Sequence, residues 1–176
     1  MLSRLLIVLM GVSLNSTLLF DFSPDVDMRS WRIVNDTVMG GRSNCSFRLN
    51  NDGHGVFSGR VSLENNGGFS SVRHRFRPVD VAEKSKLILR LKGDGKRYQI
   101  RIKDSSRRYY SYITYIDSST DWATYELNLG DFYPYYRGYE LNRPNFAHGA
   151  IEEMSILIGN KKAEAFELLV DRIELQ

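Results

Sequence analysis

Short segments in which apolar and polar residues alternate are the feature that most restricts the fold of this chain. Between residues 56 and 63, apolar Phe57 and Val61 alternate with polar Ser58 and Arg60. A period of two is typical of half-buried β-strands, because successive side chains of a strand point to opposite faces. Further segments with this pattern are 87–92, 98–103, 110–116, 125–129, 154–158 and 166–170.

Turn-forming residues separate these segments. Gly93–Lys96 and Gly159–Lys161 contain Gly or Asn, which adopt the positive φ angles that tight turns need. We expect residues 91–98 to form a hairpin that turns at Gly95, and residues 144–153 to hold a short helical turn. About nine to eleven strands predict an all-β fold, an antiparallel β-sandwich or jelly roll in one domain.

Length and composition exclude several classes of protein. A chain of 176 residues suits one domain that buries its own core. The net charge is only +3, from 24 Lys and Arg against 21 Asp and Glu, which does not indicate a nucleic-acid partner. Cys45 is the single cysteine, so no intramolecular disulfide or thiolate zinc site can form. The three histidines show no metal-ligand spacing.

The N-terminal residues 1–16 predict a secretory signal peptide. Arg4 precedes the apolar run Leu5–Met10, and small residues follow at 11–13. The run is too short to cross a bilayer, so we expect at most peripheral membrane association. If the signal is cleaved, residues 17–176 form an exported, periplasmic or cell-surface domain. The alternative is that the N-terminus forms a strand.

Two glycine-rich segments contain the first candidate binding residues. Each has a Gly-Gly pair beside polar side chains, and glycine allows close approach of a ligand or of another chain. One hypothesis is a polar rim of hydrogen-bonding groups where loops meet. The alternative is a pair of tight corners in which Asn and Asp cap their own turns. The residues in question are Asn35, Asp36, Asn65, Asn66 and Arg73.

Tyrosines and arginines in the middle of the chain suggest a second kind of site. Aromatic rings stack on sugar rings while arginines bind hydroxyl groups, and Arg101, Tyr112 and Arg137 are candidates for these roles. The alternative is that most tyrosines belong to the core. We expect both tryptophans, Trp31 and Trp122, to anchor the core.

Calcium is the one cofactor for which residues can be named. Asp21 and Asp171 fall in segments that we expect to be neighbouring strands, and their oxygens suit structural Ca²⁺. Alternatively, each carboxylate pairs with an arginine such as Arg172. We expect no other cofactor.

The sequence offers little for catalysis. Asp36 and Glu64 are candidates for an acid and base pair of a hydrolase, but their spacing does not mark them as one. Neither a Ser-His-Asp order nor a phosphate-binding or dinucleotide-binding fingerprint is present. We therefore expect a protein without catalytic activity, with an uncharacterised hydrolase as an alternative.

Several segments together resemble one protein family, the complex I intermediate-associated protein 30 family. The resemblance extends from about residue 18 to the C-terminus and includes Trp31. The segments that carry it are LFDF (19–22), NDTVMGGRS (35–43), SLENNGGFSSVR (62–73), KGDGKRY (92–98) and FELLVDRIEL (166–175).

The resemblance implies a galactose-binding-like jelly roll and a non-catalytic role as an assembly chaperone. Its partners would then be protein subunits of a respiratory complex I. Residues 1–13, however, differ from the Arg- and Ser-rich transit peptides of mitochondrial proteins. The alternative is therefore an exported protein similar to a carbohydrate-binding module, with carbohydrate as its partner.

Overall fold

The computed structural model describes residues 16–176, and the predicted signal peptide therefore lies almost entirely outside the described residues. Two antiparallel sheets contain all thirteen strands of this part of the chain. Its helical segments are four short 3-10 helices at Met28–Ser30, Asp36–Met39, Glu64–Asn66 and Leu129–Asp131. This architecture confirms the predicted all-β, antiparallel β-sandwich.

The six-stranded sheet is built around the last strand of the chain. Its members are β1 (Thr17–Asp21), β3 (Asn44–Leu49), β4 (Gly55–Val61), β6 (Lys86–Lys92), β9 (Ala123–Asn128) and β13 (Glu164–Leu175). Their order is β3-β4-β13-β6-β9. One edge of β13 pairs with β4 along its first half and with β1 along its second half.

The seven-stranded sheet has the order β11-β10-β8-β7-β12-β5-β2. Its members are β2 (Trp31–Asn35), β5 (Ser70–Asp80), β7 (Arg97–Lys103), β8 (Ser111–Asp117), β10 (Tyr133–Tyr136), β11 (Tyr139–Glu140) and β12 (Ala150–Ile158). The long strands β5, β12 and β7 are adjacent, so they form a continuous central surface.

The hydrophobic core lies between the two sheets. Phe57, Leu89 and Leu168 contribute to it from the six-stranded sheet, and Ile100 and Ile156 from the seven-stranded sheet; all five are fully buried. Each is flanked in its strand by residues that point to the opposite face, as the period of two requires. Burial of these apolar side chains therefore decides which residues point away from the core.

Two local predictions were wrong. Residues 91–98 do not form a hairpin, because β6 and β7 belong to different sheets and the turn at Gly95 crosses between them. The Asp94 carboxylate fixes this crossing by accepting hydrogen bonds from the Tyr98 hydroxyl at 3.1 Å and the Glu167 N–H at 3.0 Å. Residues 144–153 contain no helical turn, because 144–149 form a loop and 150–153 already belong to β12.

The tryptophans differ in their environments. Trp31 is buried in the core, where its ring stacks on His74 at 4.8 Å between ring centroids. Trp122 is outside the core and packs between the His54 ring at 4.6 Å and the Arg90 guanidinium at 4.8 Å. Trp31 thus anchors the core as predicted, whereas Trp122 does not.

His74 makes the stability of the fold depend on pH. Its side chain is buried among aromatic rings, and burial lowers its pKa below the ordinary value of 6.5. As the pH falls below 6.5, the unfolded chain gains a proton that folded His74 does not accept, so the folded state loses stability. We expect His74→Phe to weaken this loss between pH 7.5 and 5.

Urea unfolding across this pH range measures the effect. The difference in unfolding free energy between pH 7.5 and 5 should be smaller in the variant, by up to about 1.4 kcal/mol for each pH unit that the pKa of His74 is lowered. The value at about pH 7.5 is the reference, because His74 is mostly neutral there in both the folded and the unfolded state. Equal pH slopes for the two proteins would show that His74 does not carry this dependence.

Candidate functional site

The Asp36 carboxylate joins the two glycine-rich segments. It accepts hydrogen bonds from the backbone N–H of Ser43 at 3.0 Å, of Gly68 at 2.6 Å and of Phe69 at 3.2 Å, and from the Ser43 hydroxyl. Its side chain is 0% exposed. One buried carboxylate thus holds the loop after β2 against the loop that precedes β5.

The glycines of both segments leave room for this carboxylate. A Cβ atom on Gly41 would lie 2.4 Å from Asp36 Cγ, and one on Gly67 would lie 2.6 Å from Asp36 Oδ2. Burial raises the pKa of Asp36, but the hydrogen bonds from Ser43, Gly68 and Phe69 outweigh it and keep the pKa below its usual value. Asp36 therefore remains charged and fully bonded.

The neighbouring amides complete the same corner. Asn35 Oδ1 accepts a hydrogen bond from Cys45 Sγ at 3.0 Å, and Asn65 Nδ2 donates one to the Gly40 carbonyl at 3.2 Å. Asn65 and Asn66 are exposed and adopt positive φ angles of 55° and 59°. The structure thus brings Asn35, Asp36, Asn65 and Asn66 together in a corner with internal hydrogen bonds.

The proposed acid and base pair of a hydrolase is not supported by this geometry. An acid or base needs an oxygen that a substrate can reach, but the Asp36 side chain is buried beneath the backbone N–H groups that bond to it. Glu64 is exposed and forms an ion pair with Arg42 at 2.9 Å. The two carboxylates therefore have separate partners, both of them structural.

A different surface collects polar and aromatic side chains, and we call it the outer face: the side of the seven-stranded sheet that points away from the core. On β7, Ile100 and Ile102 point into the core, so Gln99, Arg101 and Lys103 point to the outer face. Strand pairing places Arg32, Arg73, Ser155 and Arg101 side by side on β2, β5, β12 and β7. We call these four residues the arginine row.

Glu153 supplies the carboxylate beside this row. Its side chain is 3% exposed, and its oxygens lie 3.3 Å from Arg73 Nε, 2.7 Å from Arg75 Nε and 3.9 Å from Lys103 Nζ. Burial lowers the pKa of Lys103, although the negative charge of Glu153 acts against this. One carboxylate is thus shared by three cations.

Arg101 lies beside a polar and aromatic group on the same face. Its Nε donates a hydrogen bond to Gln99 Oε1, and Gln99 Nε2 donates one to the Tyr115 hydroxyl at 2.7 Å. Tyr133 and Tyr135 follow on β10, with their rings at 81° to each other and 6.2 Å apart. Burial raises the pKa of both tyrosines, so their hydroxyls are protonated at neutral pH.

The predicted group of Arg101, Tyr112 and Arg137 does not share one surface. Tyr112 points to the inner side of β8, where its hydroxyl lies 2.6 Å from His148 Nε2 and 3.2 Å from the Tyr110 hydroxyl. Arg137 is in the β10–β11 turn, with its guanidinium over the Tyr136 ring at 5.4 Å. Of these three residues, only Arg101 is on the outer face. Arg73, which was predicted as part of the other group, lies on the same face.

The residues proposed for calcium do lie in neighbouring strands. Asp21 pairs with Arg172 across β1 and β13. The Asp171 carboxylate contacts Arg90 at 2.8 Å and His54 Nδ1 at 3.1 Å. Residues 16–176 contain no group of three or more His, Cys, Asp or Glu side chains placed to hold a metal ion. In the same part of the chain, no helix is long and apolar enough to cross a membrane.

Comparison of the sequence with protein families gives a match to the family of complex I intermediate-associated protein 30. Its model matches residues 20–170, which is most of the chain. The chain therefore belongs to this family, and the resemblance seen in its motifs is confirmed. A comparison with curated protein sequences found no match.

Solved structures with a similar fold are carbohydrate-binding modules and parts of enzymes. The family 11 module of the cellulosomal cellulase Lic26A-Cel5E of Clostridium thermocellum has a TM-score of 0.68 at 14% identity, over 91% of this chain and 93% of that one. The family 11 module from Clostridium thermocellum in complex with a β-1,3-1,4-mixed-linked tetrasaccharide has a TM-score of 0.67 at 16% identity, over 91% and 94%.

A third similar structure is that of the agarase AgWH50C. It has a TM-score of 0.59 at 15% identity, over 92% of this chain but only 24% of the agarase. At these identities the likeness concerns the fold alone. It confirms the predicted jelly roll of the galactose-binding kind.

Sequence reasoning missed Gln99, Tyr115 and Glu153. A signal for Gln99 was present, because it alternates with Tyr98 and Ile100 in a recognised strand. Glu153 was hidden by the wrong prediction of a helical turn. Its role depends on the pairing of β12 with β5 and β7, and the alternation of apolar and polar residues does not show which strands are neighbours.

We expect Asp36→Asn to destabilise the fold by about 3 kcal/mol, because an amide accepts fewer hydrogen bonds from the loops and loses the charge that strengthens them. Urea unfolding at pH 7 measures the change. Asp52→Asn, at an exposed turn position, is the matched control and should change stability by less than about 0.5 kcal/mol. Similar stabilities for the two variants would contradict the joining role of Asp36.

Proposed function

We propose that this chain is a non-catalytic binding domain that takes part in the assembly of a respiratory complex I and holds a protein partner on its outer face. Membership of the complex I intermediate-associated protein 30 family supports the assembly role. The observation that carries the choice of surface is the arginine row with its neighbouring Gln99 and Tyr115. We propose an exported location if residues 1–16 are cleaved.

The composition of the outer face suits recognition of another molecule. Arginine and tyrosine are enriched in the binding centres of protein interfaces, where they combine large contact area with directional hydrogen bonds. On the outer face, Arg101 is half-buried beside Tyr115 and Tyr135. Neighbouring side chains therefore restrict its position before a partner arrives, and this reduces the entropy lost on binding.

A second candidate function is carbohydrate binding. The same group of Gln99, Arg101 and Tyr115 offers hydrogen-bond donors beside aromatic rings, and a similar fold is known in complex with a tetrasaccharide. This candidate requires that a neutral glycan bind to the outer face. It predicts a rise in melting temperature with mixed-linked glucan oligosaccharides that Arg101→Ala abolishes.

Affinity capture with the purified domain tests the proposed function. We expect subunits of complex I to be enriched with the native protein and to fall at least tenfold with Arg101→Ala, which corresponds to about 1.4 kcal/mol of binding free energy. Arg60→Ala removes an exposed arginine of the six-stranded sheet and is the control that should retain the subunits.

A glycan array under the same conditions separates the two candidates. A blank array together with Arg101-dependent capture of complex I subunits supports the assembly role. Enrichment that is equal for the native protein and Arg101→Ala would contradict the assignment to the outer face. Glycan binding that depends on Arg101, without capture of the subunits, would favour the carbohydrate candidate.

A further inference from the structure

We infer that the outer face recognises an acidic peptide segment of its protein partner, in which Asp or Glu side chains bind to the arginine row. This inference rests on the proposed function, because it names the chemistry of the partner for the same surface. Its support comes from charge, from the environment of Arg101, from spacing and from the placement of the tyrosine rings.

The charge of this surface is strongly unbalanced. Around Glu153, strands β2, β5, β12 and β7 place five cationic side chains and this one carboxylate on the outer face. Two further carboxylates, Glu140 beside Tyr135 and Asp117 opposite Arg97, lie farther along the same face. The five cations are Arg32, Arg73, Arg75, Arg101 and Lys103. A surface with this excess attracts anionic groups and accelerates their association.

Arg101 is a half-buried cation that has no carboxylate partner within residues 16–176. Its Nε bonds to the neutral Gln99 side chain, and no ion pair of Arg101 occurs within residues 16–176. Burial lowers its pKa, and the nearby charge of Arg73 adds to this effect. A half-buried guanidinium without a carboxylate has lost hydration and has not replaced it by ionic bonding. A partner carboxylate would provide two parallel hydrogen bonds to it.

The tyrosines do not relieve this excess of positive charge. The raised pKa values of Tyr133 and Tyr135 keep both phenols neutral at physiological pH. A protonated phenol donates a hydrogen bond, so these hydroxyls also favour an acceptor such as a carboxylate or a peptide carbonyl.

The spacing of the arginine row matches an extended peptide. Neighbouring strands are about 4.8 Å apart, so Arg32 and Arg73 lie about 5 Å apart at their backbones, and Arg73 and Arg101 about 10 Å. Alternate side chains of an extended peptide lie about 7 Å apart on one side. Flexible Arg and Glu side chains bridge this difference, so acidic residues at alternate positions can reach both Arg73 and Arg101.

The aromatic rings favour a peptide over an acidic glycan. The guanidinium of Arg97 lies 4.1 Å from the centroid of the Tyr115 ring and occupies one of its faces. Tyr133 and Tyr135 are nearly perpendicular to each other. These three rings therefore do not form a row of parallel platforms on which successive sugar rings stack.

Fluorescence anisotropy with short labelled peptides tests the inference. The probes are an eight-residue peptide of alternating Glu and Ser and the same peptide with Gln in place of Glu. We expect the Glu peptide to bind at least about tenfold more tightly than the Gln peptide. Its affinity should fall as the salt concentration rises from about 50 to about 200 mM, because salt screens ionic contacts. Equal affinity of the two peptides would overturn the inference.

Variants identify the residues responsible. Arg101→Ala and Arg73→Ala should each weaken the binding of the Glu peptide about tenfold, since each removes a charged partner of a carboxylate. Arg32→Glu reverses the charge of an exposed residue of the row, so it tests the same surface with little effect on folding. Arg60→Ala, on the other sheet, should leave the affinity unchanged. Binding that is insensitive to all three row variants would also overturn the inference.

Two further outcomes separate this inference from the proposed function. If complex I subunits are captured through Arg101 while the Glu and Gln peptides bind with equal affinity, the inference of an acidic partner segment is wrong and the proposed assembly role is retained. If neither subunits nor the Glu peptide bind, both proposals fail. Binding of an oligogalacturonate through Arg101, without binding of the Glu peptide, would show that the anion is a glycan and would overturn the peptide inference.

Discussion

The apolar packing between the two sheets is the constraint on which the rest of this structure depends. Ile100 and Ile102 are buried against the six-stranded sheet, so the residues between and beside them must point outward. Arg101 is therefore on the outer face because of where its neighbours pack. The same reasoning applies to β5 and β12, which place Arg73 and Glu153 on the same face. The candidate site is thus a consequence of core formation in three adjacent strands.

The glycine-rich segments have a different task, which is to join the loops at one corner of the sandwich. Asp36 achieves this with three backbone N–H donors from the two loops, and it needs Gly41 and Gly67 because any side chain there would collide with its carboxylate. The most recognisable motifs of the chain therefore have a structural role. The arginine row, by contrast, is spread over four strands and forms no motif in the sequence.

This difference explains what the sequence could and could not predict. Alternation identified most strands and the sandwich, because burial acts on each strand separately. It did not show that β6 and β7 separate into two sheets, since a turn at Gly95 suits a hairpin and a crossing equally well. Tyr112 and Arg101 were grouped by residue type, yet they occupy opposite faces because strand register decides the direction of each side chain.

The distribution of charge shows most clearly why the pairing of strands says more about a binding surface than the composition of the whole chain does. The formal net charge of the whole chain is only +3, a value that by itself indicates no anionic partner. The patch around Glu153 nevertheless holds five cations against this one carboxylate, and this excess of positive charge is larger than the net charge of the entire chain. The remaining surface must then carry more acidic than basic side chains. A partner with acidic groups would consequently be attracted to one face and repelled weakly elsewhere, which orients it before contact.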